Sequence, residues 1–265
     1  VRIRLSRSIV PNLFTVLNIF FGFLSMIHAV QGMFIPAVWY ILLSALCDTL
    51  DGFMARLTKS ASEFGVELDS LADVVSFGAA PSFLLYMLLF KDAGNFGALV
   101  AASPLIMGAL RLARFNVQLV GFSKEYFTGM PIPLSALTLT SFILLFTPER
   151  IMVEPLLRIA LTVLTIACAI LMVSTIRYPV IPRIGPRLLR ERPVLSILAL
   201  LVAVAVLVSL GRLLFPALML IVLSGPLFAL GRLLRRMGGG PPSPRRDERE
   251  LDSTPDASHA TIDSH

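Results

Sequence analysis

CDTLDGFMARLTKSASEFGVELDSLADVVSFG, residues 47–78, places four aspartates, Asp48, Asp51, Asp69 and Asp73, inside two long apolar runs. A carboxylate in hydrocarbon costs about 2.5–3.5 kcal/mol on insertion scales, so one found there serves a pathway, a counter-ion or a catalytic site. The spacing is helical. Asp48 and Asp51 are three apart and Asp69 and Asp73 four apart, so each pair occupies one face of its helix. Two such faces turned together make a cage of hard oxygen ligands suited to Mg2+ or Mn2+.

The residues between the acids fit that chemistry. Gly52 follows a carboxylate and Ala55 lies one turn beyond Asp51, so this face lacks bulk and a nucleotide or phosphate can approach the backbone. Arg56, at the end of the same helix, offers phosphate a cation. Gly65 is expected to mark the turn into the following span. The bland alternative is a set of buried salt bridges to Arg56 and Lys59. It leaves four acids against two local cations, with too much negative charge to stand without a metal.

The rest of the chain has the composition of a membrane protein. Hydrophobic residues make up 56% of 265 positions and charged residues 15%, against about 25% charged in a soluble domain; mean hydropathy is +0.82. A span needs about 20 largely apolar residues, and eight candidates are present: 11–30, 34–56, 67–90, 96–115, 131–147, 155–176, 195–211 and 214–231. The expected fold is all-α, a polytopic integral membrane bundle of about eight transmembrane helices. Six form a core over 11–180, and the last two form a hairpin over 195–231. Residues 1–10 read as an interfacial segment, 181–194 as a basic loop and 237–265 as a disordered tail almost without apolar residues. The opening VRIRLSRS carries the charge of a leader peptide, but no small-residue cleavage site ends the first apolar run, so no cleavable leader is expected.

Lysines and arginines divide unequally between the two sides of these spans. Arg2, Arg4, Arg7, Lys59, Lys124, Arg177, Arg183, Arg187, Arg190, Arg192 and the residues from Arg232 onward fall on one side; Lys91, Arg150, Arg158 and Arg212 fall on the other. Positive charge inside then puts both termini and the aspartates in the cytoplasm. The net charge of +6 follows from these loops and from contact with anionic headgroups, and nucleic acid is not an expected partner. Cys47 and Cys168 sit in apolar segments without metal-site spacing and read as packing residues. His28 reads as interfacial, and His259 and His265 lie in the tail. The sequence contains neither a phosphate-binding Gly-rich loop nor a dinucleotide fingerprint.

The eight positions Asp48, Asp51, Gly52, Ala55, Arg56, Gly65, Asp69 and Asp73 reproduce D-x2-D-G-x2-A-R-x8-G-x3-D-x3-D, the signature of the CDP-alcohol phosphatidyltransferase family, without departure. PNLFTVLNIFFGFLS near the start, SFGAAPSFLLY after the last aspartate, RLARFN at 111–116 and FTGMPIP at 127–133 resemble the bacterial, serine-using branch of that family. The resemblance covers about residues 8–180. It implies transfer of the phosphatidyl group from CDP-diacylglycerol to L-serine with release of CMP, by metal-assisted attack of the serine hydroxyl on the β-phosphate. In the family Asp48, Asp51 and Asp69 correspond to metal ligands for two divalent ions. Asp73 corresponds to the general base and also to a ligand. Asp48, Gly52, Ala55, Arg56 and Gly65 correspond to the CDP-binding surface. A homodimer in the bacterial cytoplasmic membrane is implied as well.

Selection of serine needs a cation for its carboxylate, and Arg111, Arg114 and Asn116, on one helical stretch, are the expected contributors; their alternative reading is membrane anchoring. Glycerol phosphate or inositol phosphate as acceptor remains open on the signature alone. Two further function classes fit the sequence less well. A transporter also uses intramembrane carboxylates, but here the acids cluster at one edge and no inverted repeat of the motif is present. A catalytically dead scaffold gives no reason for eight intact signature residues.

Overall fold

The computed structural model describes residues 9–58, 62–120, 129–176 and 211–238, and all of them that take regular structure are helical. Hydrocarbon supplies no partner for backbone N–H and C=O groups, so long apolar runs close their own hydrogen bonds as helices. α1 spans Ile9–Val30 and α2 Phe34–Thr58, joined by a tight turn through Gly32 and packed along each other. The next span runs from Glu63 to Phe90 and changes geometry along its length. It begins as α3 (Glu63–Asp73), widens into a π-helical stretch (Val74–Ala79), tightens as α4 (Ala80–Leu85) and ends in a second π turn (Tyr86–Phe90). α5 (Gly94–Val120), α6 (Ile132–Phe146), the short α7 (Pro148–Val153), α8 (Pro155–Val173) and α9 (Leu214–Gly238) follow. The chain divides into two compact units, Val1–Pro226 and Leu227–His265; the bundle lies in the first.

Among the described residues, six helices are long and apolar enough to cross a membrane: Pro11–Val30, Phe34–Thr58, Glu63–Phe90, Gly94–Asn116, Pro155–Val173 and Leu214–Gly231. Each matches an expected span. The expected span at 131–147 is a 15-residue helix, about 22 Å at 1.5 Å per residue and short of the ~30 Å hydrocarbon layer. Eleven of its residues are buried, Ile132, Leu139 and Ile143 completely. α6 is apolar because other helices surround it, packing mainly on α2, α8 and the third span. The first arm of the expected C-terminal hairpin, 195–211, lies outside the described residues apart from Gly211, as do the basic loop and all but the first two residues of the tail.

Polar side chains lock the bundle where helices would otherwise slide. Pro104 interrupts the ladder of α5, and the neighbouring Leu105 N–H donates across to Ser82 Oγ of α4 at 3.2 Å. Gly129, at φ 88, starts the chain into α6; its N–H donates to Ile176 O at 2.9 Å and the next N–H, from Met130, to Leu171 O at 3.0 Å. The end of α8 is thereby satisfied by the turn before α6. A side chain at 129 would collide with the Met172 carbonyl, so close backbone approach and positive φ both require glycine.

Candidate active site

α2 delivers Asp48 and Asp51, and the third span delivers Asp69 and Asp73. Between them the chain reverses, and the start of α3 is set by Ser62, which has an extended backbone and whose side-chain Oγ accepts the Gly65 N–H at 3.1 Å. Gly65 is therefore a first-turn helical residue and Ser62 makes the cap, which corrects the expectation that Gly65 marks the turn itself. A cap reads poorly in sequence when three serine-type candidates, Ser60, Ser62 and Thr58, stand together.

The two helices bring carboxylate oxygens of Asp48, Asp51 and Asp69 within 4.8 Å of one another. Asp51 is buried, and Asp48, Asp69 and Asp73 are half-buried. No cation stands within 4 Å of these carboxylates among the described residues; the ion pair those residues hold is Arg150–Glu154, at 2.9 Å on the surface. Arg56 does not neutralise the cluster, and Lys59 lies outside the described residues. Asp69 Oδ1 and Asp73 Oδ1 are buried with no hydrogen-bond partner. Buried, unpaired carboxylate oxygens are among the costliest groups a protein can hold. Converging hard oxygens with unmet valence and no organic cation fit a divalent metal ion, for which Mg2+–oxygen distances are about 2.0–2.1 Å.

Beside the cluster lies an open cleft enclosing about 470 Å³, lined by Pro11, Asn12, Thr15, Asp51, Gly52, Ala55, Ser62, Gly65, Val66 and Asp69. Gly52 and Ala55, which the sequence picked out for lack of bulk, form its wall together with Gly65. A Cβ on Gly65 would stand 3.1 Å from Ser62 Oγ and 3.5 Å from Asn12 Oδ1. Arg56 is exposed and folds over the rim, its guanidinium 3.4 Å from where a Cβ on Gly52 would be. Asp48 and Asp73 are not part of this lining.

Two contributions of α1 escaped the sequence reading. Thr15 Oγ1 donates to Asp51 Oδ2 at 3.0 Å, orienting that carboxylate, and Asn12 closes the cleft opposite Gly65. PNLFT was visible as a stretch resembling the family, but nothing in its spacing aims Thr15 at a residue 36 positions away.

The three expected serine-binding residues separate in α5. Arg111 is buried, its Nε without a hydrogen-bond partner, and its guanidinium lies within electrostatic reach of Asp73. Asn116 Nδ2 donates to Ser70 Oγ of α3 at 3.3 Å, which holds α5 against the helix carrying Asp69 and Asp73. Arg114 turns toward α8, donating to Val173 O at 3.3 Å beside the exposed helix end, where a cation meets the negative end of the macrodipole. Arg111 and Asn116 thus adjoin the aspartate helix, and Arg114 has a hold on α8.

The sequence pattern of CDP-alcohol phosphatidyltransferases matches residues 8–180. The chain belongs to this family. Among curated proteins it is similar to a CDP-diacylglycerol–serine O-phosphatidyltransferase of Helicobacter pylori, 40% identical over 169 residues that cover 64% of this chain and 71% of the relative. It is also similar to the archaetidylserine synthase of Methanothermobacter thermautotrophicus, 39% identical over 178 residues, 66% of this chain and 71% of the relative. A third relative, the CDP-diacylglycerol–serine O-phosphatidyltransferase of Bacillus subtilis, is 35% identical over 170 residues, 64% of this chain and 89% of the relative. Family membership accounts for the arrangement of the site: the matched region holds all eight signature residues and all of the cleft.

Proposed function

We propose that this chain is a CDP-diacylglycerol–serine O-phosphatidyltransferase, forming phosphatidylserine and CMP. The observation that carries the reading is the convergence of Asp48, Asp51 and Asp69 beside a cleft walled by Gly52, Ala55 and Gly65, in a family whose similar members named above all act on or make a serine lipid.

Asp48, Asp51 and Asp69, with Asp73 beside them, would hold Mg2+ or Mn2+, as two ions. Bound there, divalent ions neutralise a diphosphate and ease the departure of CMP. The protein's own groups do the rest. Gly52, Ala55 and Gly65 let the CDP moiety lie against backbone, and Arg56 at the rim meets a phosphate. Thr15 holds one oxygen of Asp51, leaving the other toward the cluster. The serine hydroxyl oxygen forms a bond to the β-phosphorus as the bond from that phosphorus to the CMP oxygen breaks. Asp73 receives the hydroxyl proton, and CMP leaves as the nucleotide monophosphate. Arg111, with Arg114 and Asn116, is assigned to the serine carboxylate, for which a guanidinium is geometrically suited.

The lysine and arginine asymmetry supports an active site and termini on the cytoplasmic side of a bacterial inner membrane. We assign 11–180 as the catalytic membrane domain of an eight-span chain, in which α6 is the short span enclosed by protein and the last two spans form a hairpin, and a homodimer as its working form. Purified protein given radiolabelled CDP-diacylglycerol with serine, glycerol 3-phosphate and inositol phosphate in parallel tests the acceptor. Label entering phosphatidylserine alone is expected. Transfer to either phosphorylated alcohol, with none to serine, would overturn the substrate and leave the family intact.

A further inference from the structure

Asn18 is completely buried in α1, and neither its Nδ2 nor its Oδ1 has a hydrogen-bond partner. Its backbone shows where it stands. The Asn18 carbonyl accepts from Ser44 Oγ of α2 at 3.1 Å and from Ser76 Oγ of the third span at 2.8 Å. One residue therefore sits where three helices meet, and these are the helices that build the aspartate cluster and its cleft.

The register places it against the acids. α1 and the third span run in the same direction, with Asn12 beside Gly65 near one end and Gly22 beside Ser76 further along, where a Cβ on Gly22 would stand 2.8 Å from Ser76 Cα. Between those two fixed points Asn18 falls level with Leu71 and Ala72, about 2 Å along the helix axis from Asp73. On α2, Asp48 lies between Asp51, which Thr15 holds, and Ser44, which meets the Asn18 carbonyl. Asn18 is thus one turn below Thr15, on the floor of the aspartate cluster.

An amide with both halves unmet is a worse occupant of such a floor than an apolar side chain of equal size. Helix association does not account for it, since Ser44 and Ser76 already bind the backbone and the amide binds neither of them. Asp73 Oδ1 is buried and unmet close to that level. Polar groups left unmet in one buried place are what retains an internal water. Building on the transferase reading above, we propose that Asn18 is a positioning residue, its amide holding the Asp73 carboxylate toward the acceptor hydroxyl through one internal water.

The test uses the full chain, purified and reconstituted in vesicles containing CDP-diacylglycerol, with CMP release and thermal stability both measured. Asn18→Leu keeps the volume and removes the amide. Turnover should fall about 10–100-fold, as when a group that orients a charged ligand is lost, with KM for CDP-diacylglycerol and for serine within about twofold. The melting temperature should hold or rise, because an unmet amide has left the core. Asn18→Ser, which returns a hydroxyl and leaves room for a second water, should recover at least about fivefold of the turnover. Turnover of the leucine variant within about twofold of wild type overturns the proposal. So does a loss that tracks a lowered melting temperature and is not recovered by serine. Should the leucine variant not accumulate, the isosteric Asn18→Asp replaces it; it must lose turnover at least as severely, and wild-type turnover would again overturn the idea. Failure of the transferase reading shows separately, as wild-type protein that releases no CMP with serine. If another alcohol serves, the same variants are compared with that alcohol.

Discussion

Polar side chains collect in two parts of this bundle and behave in opposite ways. In α6, three of the four hydroxyl residues answer themselves: Thr138 donates to Leu134 O at 2.7 Å, Thr140 to Ala136 O at 2.8 Å and Ser141 to Thr138 O at 3.0 Å. At the meeting of α2 and the third span, Asp69 Oδ1, Asp73 Oδ1 and the Arg111 Nε nearby are buried and accept or donate no hydrogen bond among the described residues. The first region shows how a helix carries hydroxyls through an apolar interior at little cost. The second keeps its valence open, which only an external ligand makes stable. Polarity alone does not mark a site in a membrane bundle, and neither does one unmet hydroxyl, since Ser135 of α6 has one; converging carboxylates with unmet oxygens do.

The contrast is broken most severely at the acids. Asp48→Asn or Asp69→Asn should each lower turnover by about 10²–10³, the loss typical of a group that stabilises developing charge, while the melting temperature holds or rises because like charges are separated. Near-normal phosphatidylserine synthesis by either variant would sink the metal-cage reading. Removal of divalent ions with excess EDTA should abolish activity, and added Mg2+ or Mn2+ should restore it; full activity in the chelator contradicts the assignment just as directly.

Smaller effects sharpen the same comparison. Thr15→Val removes one hydrogen bond to a charged carboxylate, worth about 1.5–3 kcal/mol, and should cut turnover roughly tenfold or more with the fold intact. Arg111→Ala should raise the serine KM about tenfold and leave that for CDP-diacylglycerol nearly unchanged. Arg114→Ala should raise the serine KM less, and should also loosen the end of α8 that it holds through Val173. Unchanged serine kinetics in both arginine variants would remove them from the pocket. At the far end of the scale, Thr138→Val in α6 should leave turnover within about twofold and shift stability by about 1 kcal/mol or less, because that hydroxyl serves only its own helix.

Most of the fold could be read from the sequence because apolar length is a local property. Six spans declared themselves by composition, and the acids by their three- and four-residue spacing. α6 was legible as an apolar helix but not as an enclosed one: hydropathy cannot distinguish a helix wrapped by lipid from one wrapped by protein, and only the bundle shows that Ile132–Phe146 is enclosed. The cleft was half legible. Gly52 and Ala55 stood out because they leave the face beside Asp51 without bulk, and Gly65 through the family signature, whereas Asn12, Thr15 and Asn18 became site residues only when α1 packed against α2 and the third span. Arg114 shows the converse. Three-residue spacing put it on one face with Arg111, yet its guanidinium reaches Val173, 59 positions away, a partner that no local pattern encodes.

The π-helical stretch Val74–Ala79 begins at the residue after Asp73. A wide turn of this kind holds one residue more than an α-turn over the same rise, and each residue carries about 100° of rotation. The span therefore works like a screw with one thread spread. The lower part seats Ser82 against α5, and the spread thread sets the angle at which Asp69 and Asp73 emerge above it. Removing one residue from 74–79 would let the turn close to α geometry with Ser82 and the aspartates keeping nearly the same phase, whereas removing one from the α-turns of 80–85 would swing both carboxylates by about 100° relative to the residues beyond the deletion. The spread thread is thus the one place between the aspartates and Ser82 where a residue can be lost without turning the aspartates away.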